Sequence, residues 1–252
     1  MKNRFFLLDL LETSIRHMKR QKENTCEHCS TEFGHFYSHL AAEDLALLND
    51  HKENLLRKKN EILFREGQRP QGVYCIREGA IKIFREGIDG REMITRFVFP
   101  GEFVGLKAII SGSPYAASAL AIEDTSLCFI SKNDFYQIMV KYPDFTRVLA
   151  VLLTKMLEQA EERMISLAQK PVRERLAETL LFLDRSFHPS THNGNRNYLN
   201  LSRYDLANII GTAPETVIRL LSDFRDHQYI SIKGRKIFIL NPWELQRIMK
   251  YG

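Results

Sequence analysis

LSRYDLANIIGTAPETVIRLLSDF, Leu201 to Phe224, holds two helix starts separated by a single glycine. Ser202-Arg203-Tyr204-Asp205 has the capping pattern of a short first helix whose apolar face is Leu206, Ile209 and Ile210, and Gly211 stands where that helix ends. Thr212-Ala213-Pro214-Glu215 begins a second helix, with a T-x-x-E capping box and a proline in the first turn, where its missing N–H costs little. Two short helices joined by a tight turn form a helix-turn-helix.

At 100° per residue the second helix divides cleanly. Val217, Leu220, Leu221 and Phe224 fall on one face, and Glu215, Ile218, Arg219 and Ser222 on the other. The first face suits packing and the second suits reading. Arg219 can donate two hydrogen bonds to guanine, Glu215 can accept from cytosine N4, and Ile218 can touch a thymine methyl. An ordinary helical hairpin with a solvated face would carry the same periodicity. The next segment favours DNA: Tyr229 to Ile232, the basic turn Lys233-Gly234-Arg235, and Lys236 to Leu240 read as the β-hairpin of a winged helix. Its tip suits phosphate contacts that orient without reading sequence. Ser202, Thr212, Lys233 and Arg235 therefore join Glu215, Ile218, Arg219 and Ser222 as candidate DNA-facing residues.

Charge is distributed in keeping with this. Residues 171–252 hold 12 Lys and Arg against 8 Asp and Glu, whereas the preceding 170 residues hold 24 against 23, so the surplus lies where a polyanion would be met. The whole chain of 252 residues, 44% hydrophobic and 27% charged, is expected to be a soluble two-domain protein. No stretch approaches the roughly 18 apolar residues of a membrane span. Phe5 to Leu8 follows basic residues like a signal peptide, but Asp9 and Glu12 interrupt it, and a cytoplasmic location is expected.

Upstream of the helix-turn-helix, Glu53 to Ile130 is a series of short β-rich runs: Ile62–Phe64, Val73–Ile76, Ala80–Phe84, Glu92–Phe99 and Ser126–Ile130. Turns are predicted at Gly67, Gly72, Gly79, Gly87, Gly90, Gly101 and Gly105, as in a β-sandwich or barrel. Helical periodicity follows. Leu149, Leu153, Met156, Ala160, Arg163 or Met164, and Leu167 recur in steps of three and four, a seam suited to a partner helix in a dimer or to the β domain itself. Pro171 breaks the pattern, Val172 to Phe187 reads as another amphipathic helix, and His188 to Asn197 as a loop. The expected organisation is an N-terminal extension over 1–40, a β domain over 41–143, a dimerisation helix over 144–170 and a winged helix-turn-helix domain over 171–252.

From about Cys26 to Ile239 the chain resembles the Crp/Fnr family of bacterial regulators. "GTAPETVIRLL" (Gly211 to Leu221) is similar to the family's recognition helix, and "FREG" (Phe64 to Gly67), "IREGAIKI" (Ile76 to Ile83) and "PGEFVG" (Pro100 to Gly105) to its sensor β-roll. The resemblance implies an α+β fold: a cyclic-nucleotide-binding-like β-roll, a long dimerisation helix and a C-terminal winged helix-turn-helix. It implies a homodimer on roughly palindromic double-stranded DNA, with RNA polymerase as a further partner.

The resemblance also places an effector pocket around Gly101, Gly105, Leu106, Ala117 and Ser118. Members that bind cyclic AMP use a glutamate and an arginine where this chain has Leu106 and Ala117, so a phosphate would lack its bidentate partner and cyclic AMP is not the expected ligand. The Fnr branch holds an iron–sulfur cluster on three N-terminal cysteines and one in the β-roll. Here Cys26 and Cys29 match a C-x-x-C portion, Cys128 falls at the fourth position, and His35 stands where the third cysteine is absent. Zinc on Cys26, Cys29 and one or more of His28, His35 and His39 is an alternative, as is no metal, with Cys128 and Cys75 as small apolar strand residues. A ligand-binding regulatory subunit without a DNA role is the alternative, opposed by the Glu215/Arg219 face and the basic wing, and for an enzyme the sequence offers no nucleotide-binding or catalytic motif.

Overall fold

The computed structural model describes residues 40–88, 90–187 and 198–251. After helix α1 (Ala42–His51) come strands β1 (Glu53–Arg57), β2 (Ile62–Phe64), β3 (Gly72–Glu78), β4 (Ile81–Glu86), β5 (Glu92–Val98) and β6 (Phe103–Val104). Helix α2 (Leu106–Ser111), β7 (Ser118–Ala121), β8 (Thr125–Ser131) and α3 (Lys132–Lys141) complete the β-rich half. Two four-stranded antiparallel sheets, ordered β1-β8-β3-β6 and β2-β7-β4-β5, face one another. Leu63, Phe64, Ile76, Ile81, Val98, Val104, Ala119, Ala121 and Leu127 fill the space between them.

Strand alternation sends the intervening residues outwards, and both outer faces are covered. On the first sheet, Val73, Cys75, Phe103, Cys128 and Ile130 pack beneath Leu48 of α1 and Phe135 and Ile138 of α3. The five runs predicted as strands each match one, except that Ala80 and Phe99 fall just outside β4 and β5, and β1, β6 and β7 add three more. Gly72, read as a turn, is the first residue of β3: a β-carbon there would run into the Ile130 carbonyl and the Phe129 ring, so close strand approach is the reason for this glycine.

Helix α4 (Pro143–Gln169) starts with proline in its first turn and stops just before Pro171. Its first turns belong to the sensor core. Phe145 is fully buried and Leu149 is 2% exposed, with Leu152 and Leu153 packed alongside. Of the predicted seam, Leu149 is therefore engaged within its own chain and Leu167 reaches towards Gly211, whereas Ala160 and Met164 are exposed. A fully exposed stripe that shares Met164 with that seam runs through Ala150, Thr154, Leu157, Glu161, Met164 and Ala168, with spacings of four and three. Leu157 and Met164 are 59% and 66% exposed, large values for apolar side chains.

The C-terminal unit comprises α5 (Val172–Phe187), β9 (Leu199–Asn200), α6 (Arg203–Ile210), α7 (Pro214–Asp226), β10 (Ile230–Lys233), β11 (Lys236–Ile239) and α8 (Pro242–Tyr251). Leu176, Leu180, Leu183, Leu206, Ile210, Val217, Leu221, Phe224, Ile237 and Leu245 form its core. That core continues onto the outer face of the second sheet through Phe84, Ile94, Phe97 and Phe99. Phe99 meets Phe187 edge-on at 5.0 Å and Phe182 at 6.0 Å. The predicted loop at 188–197 lies outside the described residues.

Candidate nucleic-acid interface

Helices α6 and α7 meet through a tight left-handed turn. Gly211 has φ +66, which permits its own N–H and that of Thr212 both to reach the Ala207 carbonyl and close the end of α6. Thr212 is thereby part of the α6 terminus. The N-cap of α7 is Ala213, with no side-chain capping bond, and Pro214 takes the first helical position. The capping box expected from Thr212 to Glu215 is thus not formed: the turn engages the Thr212 backbone and the helix begins one residue late.

Ser202 does cap α6, accepting from the Asp205 N–H at 2.9 Å and donating to the Asp205 carboxylate at 2.6 Å. Its side chain serves the helix end.

Helix α7 separates as its periodicity predicts. Val217, Leu221 and Phe224 are buried, whereas Glu215, Ile218 and Arg219 are exposed. Ser222 is half-buried and its hydroxyl accepts from Arg225. The far end is anchored on α5, where the Arg173 guanidinium pairs with Asp223 and lies 5.0 Å from the centre of the Phe224 ring. Inward apolar anchors and this ion pair hold the helix, and Glu215, Ile218 and Arg219 project outwards on a firm base.

The wing is a β-hairpin as expected, but its turn is one residue shorter than the predicted Lys233-Gly234-Arg235, because Lys233 belongs to β10. Lys233 pairs with Lys236 across Gly234-Arg235, and Lys233 and Arg235 are exposed. Beside it, Lys236 lies 4.0 Å from the Tyr198 ring centre. Sequence reasoning missed Arg203, which donates to the carbonyls of Arg235 (3.3 Å) and Gly234 (3.4 Å) and so ties the wing tip to the first turn of α6. Burial pushes its guanidinium below the usual arginine range. It also missed Arg175, whose guanidinium donates to Leu167 (3.1 Å), Lys170 (2.8 Å) and Ile210 (2.9 Å), carbonyls at the ends of α4 and α6.

Two of the candidate effector residues are packed into the roll, and Gly105, Ala117 and Ser118 are half-buried. Leu106 is 2% exposed, Gly101 is buried, and the Ser118 hydroxyl accepts the Glu66 N–H at 3.0 Å. The Tyr115 ring, two residues before Ala117, stacks on Phe64 at 3.6 Å and closes against Gly105. Burial, with Tyr74 beside it, pushes the Tyr115 phenol well above the usual range. Aromatic side chains of the chain itself therefore occupy the neighbourhood that the resemblance assigns to a ligand.

Cys26, Cys29 and His35 lie outside the described residues, so their meeting with Cys128 is not observed. Among the described residues no three His, Cys, Asp or Glu side chains gather as metal ligands. Cys128 is 5% exposed, its thiol donates to the Asn54 side-chain amide oxygen Oδ1 at 3.6 Å, and it is the cross-strand neighbour of Cys75 in the sheet.

A β-roll joined by a long helix to a winged helix with an outward-facing second helix defines a DNA-binding transcription regulator with a cyclic-nucleotide-binding-like sensor. Sequence families agree with both halves: residues 57–142 match the cyclic nucleotide-binding domain and residues 174–248 the Crp-like helix-turn-helix domain. The transcriptional activator protein Anr of Pseudomonas protegens is 34% identical over 188 residues, 75% of this chain and 77% of that protein. The fumarate and nitrate reduction regulatory protein of Escherichia coli is 30% identical over 203 residues, 77% of this chain and 81% of its own. The solved structure of FixK2 from Bradyrhizobium japonicum superposes with a TM-score of 0.70 at 27% identity, covering 80% of this chain and 98% of that one. The chain belongs to the Crp/Fnr family of transcription regulators, close to the Fnr branch. No helix among the described residues is long and apolar enough to cross a membrane.

Proposed function

We propose that the protein acts as a homodimer on a roughly palindromic duplex, by binding and not by catalysis. Glu215, Ile218 and Arg219 read base edges, while Lys233 and Arg235 hold phosphates from the wing. The observation that carries this reading is the outward Glu215–Ile218–Arg219 row on a helix anchored from behind by Val217, Leu221 and Phe224. The DNA-facing roles of Ser202, Thr212 and Ser222 are secondary, since the first and last are engaged within the fold and Thr212 sits at the turn.

Dimerisation runs along the exposed stripe from Ala150 to Ala168, with Leu157 and Met164 as its apolar anchors. Two subunits so joined place their reading helices about one DNA turn apart, and RNA polymerase is the further partner. The signal reaches the sensor by a route other than cyclic AMP, given Leu106 and Ala117 and the Tyr115 ring against Gly105. The names of the relatives, which concern anaerobic and fumarate–nitrate regulation, favour a redox-linked signal with Cys26, Cys29 and Cys128 as soft donors.

Selection from a random duplex library tests the DNA reading. Enrichment of a twofold-symmetric sequence is expected, and equal affinity for selected and scrambled duplexes refutes it. Anaerobic purification with a visible spectrum and iron, sulfide and zinc analysis tests the donors. A colourless, metal-free protein removes them.

A further inference from the structure

Lys82 is the most deeply buried charged side chain among the described residues, at 6% exposure, on the outer face of β4. It donates to the Glu92 carboxylate of β5 at 2.6 Å and to the Asp205 carboxylate of α6 at 3.0 Å. One cation thus joins two carboxylates from opposite sides of the boundary between the roll and the DNA-binding unit. Asp205 is also the residue that completes the Ser202 cap, so the ion cluster meets α6 at the turn that sets its direction. Burial alone would push the Lys82 ammonium down, but Glu92 and Asp205 together hold it above the usual lysine range.

A second bridge crosses the same boundary from α4. The Arg163 guanidinium donates to the Thr95 carbonyl of β5 at 3.0 Å and to the Ile209 carbonyl of α6 at 3.3 Å. The two cations therefore grip α6 near its two ends, and each also grips β5. Between them the apolar core of the DNA-binding unit runs on to Ile94 and Phe97. A surface ion pair contributes little to stability, whereas removing one member of a buried cluster leaves the others desolvated and unpaired.

We infer that Lys82 and Arg163 are positioning residues for DNA recognition, forming a two-point joint that fixes the helix-turn-helix on the β4–β5 hairpin and thereby sets the direction of α7. Neither residue touches DNA in this arrangement: each acts through α6. The sensor communicates with the reading head by tightening or opening the joint, since β4 and β5 belong to the roll and α6 to the winged helix. The inference rests on the DNA-reading assignment above and adds to it the means by which the two units are coupled.

The full-length protein carrying Lys82→Met or Arg163→Met is compared with wild type and Lys82→Arg in two measurements. Hydrogen exchange over residues 92–99 and 203–210, recorded without DNA, reads the joint itself. Faster exchange in both Met variants, with the Lys82→Arg rate close to wild type, is expected. Affinity is then measured for the duplex selected by wild type and for the same duplex with one half scrambled. At least a tenfold loss on the full site, with less than a twofold change on the half site, is expected, because the joint aligns two heads and does not make base contacts. The Arg163 variant keeps the proposal falsifiable should Lys82→Met fold poorly. Unchanged exchange in both Met variants overturns the joint. Equal losses on full and half sites with a native circular dichroism spectrum overturn the positioning role. If wild type selects no sequence, the DNA reading fails, and exchange alone then decides whether the joint exists.

Discussion

Replacing Arg219 with alanine removes an exposed guanidinium from the outward face of α7 without disturbing the Val217, Leu221 and Phe224 anchors. A guanidinium bidentate to one guanine discriminates by about 1–3 kcal/mol, and a twofold dimer presents two, so specific binding should fall by about 2–6 kcal/mol. At about 1.4 kcal/mol per decade, this is roughly thirty-fold to twenty-thousand-fold. Scrambled duplex should be bound nearly as before, because phosphate contacts from the wing remain. Lys233→Ala provides the contrast: it should weaken both duplexes similarly and make the slope of log K against log salt shallower by about one per subunit. Fluorescence anisotropy on selected and scrambled duplexes across about 50–200 mM salt reads both effects. If Arg219→Ala weakens both duplexes equally, or leaves selectivity intact, Arg219 does not read bases.

The proposed dimer stripe and the buried face of α4 can be tested separately. Leu157→Glu, on the exposed stripe, should yield a folded monomer by light scattering that loses the full site, whereas Leu149→Ala should cost about 2–5 kcal/mol of stability in urea and leave the dimer intact. Ser202→Ala should cost about 1 kcal/mol through the lost cap, read by thermal melting, while sequence preference stays the same. Asp134 supplies a pH dependence. Burial pushes its carboxyl up, but the Ser131 hydroxyl and His51 hold it below the usual range. Its stabilisation is therefore present above the ordinary carboxylate pKa of about 4 and is lost as pH falls through the lower folded value. The gap in urea midpoint between wild type and Asp134→Ala should hold near neutrality and close in acid.

The parts of the fold legible in the sequence are those with a repeating period. Helix α5 occupies the predicted Val172–Phe187, and the split of α7 into anchor and reading faces follows from its 3.6-residue repeat. Short or small-residue strands carry no such signal: β6 has two residues, and β7 is Ser118–Ala121. Leu149 was misread as part of the α4 seam for a different reason. The helix has apolar residues on two adjoining faces, and periodicity does not say which faces the chain's own sensor. The one-residue delay of α7 reflects a competition at Thr212, whose backbone N–H closes α6. Lys82 was invisible as a joint because Asp205 lies 123 residues away in sequence, although the alternation of β4 already sent it outwards.

Arg175 sits where α4 and α6 both end. The carbonyl ends of two helices carry partial negative charge and would repel one another if brought together bare. One guanidinium donates to both sets of carbonyls and makes their meeting favourable. The elbow between the long helix and the reading head is in this sense an electrostatic weld. An angular change imposed on the long helix would then travel to the winged helix as rotation of a stiff arm, and would not be dissipated in a loose linker.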